Sequence, residues 1–69
     1  MKSMTDILSR NLRRQRKAKG MTQAALAASV GVTFQAVSKW ETGRSAPDVF
    51  LLPALAAVFG CPIDALFAA

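Results

Sequence analysis

Apolar positions recur along the chain at three- and four-residue spacings, and each block is closed by glycine, proline or a hydroxyl residue. This pattern predicts five helical segments and no strand. The first begins after Thr5, read as its N-cap with Asp6 in the first turn, and stops at Gly20. The second is capped by Thr22 and runs as QAALAASV to Gly31; the third is capped by Thr33 and ends at Gly43. The fourth follows Pro47, with Asp48 as its cap, and ends near Gly60. The fifth is a short PIDALF turn, with Pro62 suited to a helix start. Pro53 lies inside the fourth segment, where proline removes one hydrogen bond and crowds the preceding turn. Irregular geometry is therefore expected between Asp48 and Leu52. The predicted fold class is all-α, a compact bundle of five helices.

On a helical wheel the first segment gathers Ile7, Leu8, Leu12 and Ala18 on one side and Arg10, Arg13, Arg14 and Lys17 on the other. Arg16 sits on the border beside Leu12, and Gln15 falls within the apolar arc. In the third segment Ala36, Val37 and Trp40 point inward, while Phe34, Gln35, Ser38, Lys39 and Thr42 share the outward arc. Val30, Leu26, Leu55 and Phe59 are read as packing residues. Cys61 is read as a small buried apolar residue.

Composition narrows the classes of function. Sixty-nine residues make one domain at most, taken as spanning 1–69. One cysteine and no histidine exclude an intrachain disulfide and a Cys/His zinc site from one chain. No metal, cofactor or small-molecule ligand is expected. There is no apolar run near the ~20 residues that a membrane span needs, and no apolar leader. No nucleophile neighbours a base and no carboxylates pair closely in sequence, so an enzyme is the poorest reading. The single cysteine fits a reducing, cytoplasmic setting.

Charge is the sharper constraint. The net is +5, and residues 1–20 carry seven of the nine basic groups against Asp6 alone. Such a segment suits a polyanion, whether nucleic acid or an acidic membrane surface, or simply a solvated face. For Arg13, Arg14 and Lys17, phosphate contact and plain solvation stay equally open, and Arg13 is carried as the candidate.

The two short helices around Gly31 have the shape of a helix-turn-helix, whose second helix enters the major groove of DNA. That placement makes sense of a mixed outward face. Gln35 can both donate to and accept from adenine, Lys39 can donate to guanine, and Phe34 can pack on a thymine methyl. Ser38 suits either a base or a phosphate.

At these residues the stretch TQAALAASVGVTFQAVSKWETGRSAPD resembles the Cro/repressor type of helix-turn-helix domain, the XRE family. The likeness rests on Thr22, Gln23, Leu26, Ala27, Gly31, Val32, Val37, Trp40, Glu41 and Gly43, and it continues through NLRRQRKAKG upstream and LLPALAAVFGCPIDALF downstream. The resemblance implies a lambda-repressor-like bundle with the helix-turn-helix at helices 2 and 3. It implies that Gln23 bonds a phosphate, that Thr33 to Lys39 read bases, and that Thr42 and Arg44 touch the DNA backbone. It also implies that Arg16 and Glu41 form an ion pair tying the first helix to the third. Gln15 departs from the leucine common in the family, and Phe34 from a usual polar residue.

The expectation is a sequence-specific regulator of transcription, a repressor in a bacterium or phage, acting on double-stranded DNA. A second reading is an antitoxin or adaptor whose bundle docks a protein partner. Because one recognition helix reads only a few base pairs, the working unit is expected to be a homodimer on a palindromic operator. Ile63, Leu66 and Phe67 offer a candidate pairing surface, although closing the core is the favoured role for Ile63 and Leu66.

Overall fold

A computed structural model describes residues 3–69. Lys2, counted above among the basic groups, lies outside the described residues. Four α-helices and two 3₁₀ helices follow one another: α1 (Met4–Ala18), α2 (Gln23–Val30), α3 (Phe34–Glu41), η1 (Val49–Leu51), α4 (Leu52–Phe59) and η2 (Ile63–Phe67). There is no strand among the described residues. The all-α class stands, while the expected fifth helix is a 3₁₀ turn and the fourth segment opens with another.

The local signals are visible at each boundary. Thr22 Oγ1 accepts from the Ala25 N–H and Thr33 Oγ1 from the Ala36 N–H, each covering one of the amides a helix start leaves free. The first boundary differs from expectation. Ser3, not Thr5, caps α1, its Oγ accepting from the Asp6 N–H at 3.1 Å, and Thr5 lies inside the first turn. Asp48 Oδ1 accepts from the Phe50 N–H, which tightens the chain into η1 before α4 begins. Pro53 then falls in the first turn of α4, where its missing N–H removes no helical bond.

The core gathers one or more residues from every α-helix: Leu8 and Leu12, Leu26 and Ala27, Val37 and Trp40, then Leu55, Ala56 and Phe59, closed by Leu66 of η2. Ala36, Val30 and Cys61 are half-buried against it. Two inward assignments fail. Ala18 is exposed, because after Leu12 the inner edge of α1 passes to Gln15 and Arg16 and the last turn runs past the core. Ile63 is also exposed, whereas Leu66 is fully buried and Phe67 half-buried.

Asn11 explains that asymmetry. It is buried on α1, and its Nδ2 donates to the carbonyls of Leu66 at 2.9 Å and Ala68 at 2.7 Å. Its Oδ1 in turn accepts from Arg14 Nη2 at 2.7 Å. The far end of η2 is thus pinned to α1, and Ile63 is left at the rim.

Candidate nucleic-acid interface

α2 and α3 meet through three residues, Gly31, Val32 and Thr33. Gly31 has φ +75, a left-handed conformation that costs an L side chain ~1–2 kcal/mol. Its N–H and that of Val32 both bond the Ala27 carbonyl, which closes α2 and throws the chain sideways into α3. Trp40 and Val37 fix the inner side of α3 in the core, so its opposite side must face outward.

That outward side lines an open concavity of about 440 Å³, shared by Phe34, Gln35, Ser38, Lys39, Thr42 and Arg44. Gln35 and Lys39 are exposed, Ser38 is half-buried, and Phe34 keeps 49% of its surface in solvent. Thr33 stands just before this row, with its oxygen occupied as the helix cap. Thr42 Oγ1 donates back to the carbonyls of Ser38 and Lys39, so its hydroxyl proton is engaged within α3.

A second concavity adjoins the first through Thr42 and is lined by Arg13, Arg16, Lys17, Gln23 and Glu41. Here the expected ion pair forms a fork. Arg16 Nε donates to Glu41 Oε2 at 2.7 Å and Nη2 to Oε1 at 3.0 Å, while Nη1 donates to the Met21 carbonyl at 2.7 Å. The two side chains keep only 13% and 3% of their surface exposed. The hydrogen bond with Glu41 raises the Arg16 pKa above its ordinary value, against the opposing effect of burial. The guanidinium therefore stays charged throughout ordinary pH.

Gln23 is not wholly free, because its Nε2 donates to Glu41 Oε1 at 3.2 Å. One amide proton remains, beside the open N–H groups at the start of α2. This link between Gln23 and the ion pair was invisible in the sequence, whereas Lys17, left open there between phosphate contact and solvation, lies in the same concavity. Of the sequence-derived candidates, the structure brings Phe34, Gln35, Ser38, Lys39, Thr42 and Arg44 together, and Arg13 with Gln23 next to them. No helix among the described residues is long and apolar enough to cross a membrane.

The helix-turn-helix family model matches residues 12–66. Among solved structures, the P22 c2 repressor protein, in complex with synthetic operator 9T, is 35% identical, with a TM-score of 0.81 over 87% of this chain and 91% of that one. The clp gene regulator ClgR from C. glutamicum is 26% identical, with a TM-score of 0.85 over 96% of this chain and 86% of that one. Hydroxypropylphosphonic acid epoxidase from S. wedmorenis, in complex with fosfomycin, is 31% identical, with a TM-score of 0.87 over 97% of this chain. This chain spans only 36% of that epoxidase. No curated protein matches the sequence.

Proposed function

The chain belongs to the helix-turn-helix family of the Cro/repressor type, and we propose that residues 1–69 form one DNA-binding domain of a transcriptional regulator, a repressor of bacterial or phage origin acting in the bacterial cytoplasm. The observation that carries this reading is the outward face of α3. An amide, an ammonium, a hydroxyl and an aromatic ring stand side by side in one open concavity. Solvent has no use for that mixture, whereas the major groove offers a partner to each. The P22 c2 relative was solved on an operator, which supports double-stranded DNA as the partner.

In this account Gln35 and Lys39 read base edges, Phe34 packs on a thymine methyl, and Ser38 and Thr33 complete the row. Arg13, Gln23, Thr42 and Arg44 hold the phosphates on either side, which positions the helix without reading sequence. Gln23 does so with its remaining amide proton and the amides at the start of α2. Thr42 first has to release its hydroxyl from α3. Two copies on a palindromic site supply the specificity that one helix lacks. The likeness to the epoxidase concerns this module alone, so no catalytic role is carried to this chain.

The test is retardation of duplex DNA across a salt series, using duplexes selected from a random pool. Affinity should fall linearly in log–log form as counterions are released. Arg13→Ala and Arg44→Ala should each lower that slope by about one and weaken all sequences alike. A salt-independent complex, or no enrichment of any sequence, contradicts the reading.

A further inference from the structure

Phe34 is the first residue of α3, yet it takes no part in the core and keeps 49% of its surface in solvent. The backbone beneath it is held firmly. Thr33 caps the helix through the Ala36 N–H, and Val37 in the same turn is fully buried. The ring therefore stands at the leading end of the helix, in the concavity it shares with Gln35, Ser38 and Lys39. In a recognition helix the N-terminal residues are those that meet base edges.

Whatever meets this ring has to be apolar. A phenyl group offers no ordinary hydrogen bond, so a polar base edge pressed against it loses its water and gains no partner. The major-groove edges of the bases are rows of ring nitrogens, carbonyls and amino groups. The apolar group among them is the C5 methyl of a pyrimidine. Thymine always carries it. Cytosine carries it at the same ring position once it is methylated at C5. What then separates the two bases is the neighbouring exocyclic group, a carbonyl on thymine and an amino group on cytosine. Gln35 and Lys39 can sense that difference through hydrogen bonds, and a phenyl ring cannot.

We propose, on the DNA-binding reading above, that Phe34 reads the C5 methyl group alone, whichever pyrimidine bears it. Thymine and 5-methylcytosine then serve this subsite equally, and unmethylated cytosine does not. Methylation of a cytosine at that one base pair turns a weaker site into a stronger one, so the occupancy of such a site follows the methylation state of the DNA. One methyl group moved from water onto an aromatic face is worth about fourfold in affinity.

The test uses the whole chain and an operator selected from a random pool. Each thymine is replaced in turn by uracil, which removes the methyl and leaves every donor and acceptor in place. At one position or more, wild type should lose about fourfold and Phe34→Ser nothing. At that position a C·G pair is then built in two forms, unmethylated and methylated at C5. Wild type should bind the methylated form about fourfold tighter, whereas Phe34→Ser should bind both alike. Comparison within each pair cancels the change of partner purine, and the two pairs separate thymine from 5-methylcytosine as the source of the methyl. A loss on uracil with no gain on 5-methylcytosine means that thymine itself is read, and overturns the proposal. So does an operator on which no uracil matters, or a methyl effect that survives in Phe34→Ser. The wild-type arms decide even where a thermal melt shows that the variant does not fold. Failure to enrich any duplex sinks the DNA-binding reading and this proposal with it; specific binding with no methyl effect sinks the proposal alone.

Discussion

Asn11 and the Arg16–Glu41 pair show how single polar groups can hold a small core together. Asn11→Ala removes the donor to two carbonyls at the base of the bundle and leaves them without a partner. The expected cost is about 1–3 kcal/mol, read from chemical denaturation, with the end of η2 losing hydrogen-exchange protection first. An unchanged midpoint contradicts the pinning role. Arg16→Ala or Glu41→Ala strands one charge in a shell that excludes most water, at a cost of about 3 kcal/mol. The double mutant should lose much less than the sum, and purely additive effects would remove the coupling. A raised arginine pKa contributes stability that is complete below the unfolded value and is lost only as pH climbs through the folded one. The Arg16 side of the pair should therefore give melts that do not change between neutral and mildly alkaline pH. Asn11 itself could not be read from the sequence, because its acceptors lie 55 and 57 residues away.

The elements divide between those whose signals are local and those whose signals are not. Thr22, Thr33, Asp48 and the left-handed Gly31 and Gly60 mark their own boundaries, so α2, α3 and the end of α4 were legible residue by residue. The start of α1 was not, because Ser3 and Thr5 are both competent caps two positions apart, and the Ser3 geometry decides between them. Nor does a period of 3.0 separate from 3.6 over the three residues of η1 or the five of η2. The face of α3 was legible because Val37 and Trp40 fix its inside; the engagement of Gln23 with Glu41 was not, since it crosses between helices. Gly31 carries the turn that aims α3. A Cβ there meets no atom within 4 Å, so Gly31→Ala pays for backbone conformation alone. The expected loss is about 1–2 kcal/mol in a thermal melt, with the fold retained. A larger loss would mean that the turn itself rearranges.

The described residues form a body of 32 × 23 × 23 Å that buries ten apolar residues in one core and turns a mixed polar face and a band of cations outward. α1 braces both α3 and η2, so α3 stands on a packed frame rather than on a loop. The proposed interface divides positioning and reading between different residues, Gln23 holding phosphates and Gln35 reading a base. The direct measurement is the affinity of wild type, Gln23→Ala and Gln35→Ala for a selected operator and for every single base-pair variant of it. Gln35→Ala should lose roughly 1–3 kcal/mol on the selected operator and cease to discriminate at one base pair, keeping its preferences elsewhere. Gln23→Ala should weaken every duplex by the same factor. A uniform loss from Gln35→Ala, with preferences intact at every position, would contradict the assignment of α3 as the reading helix.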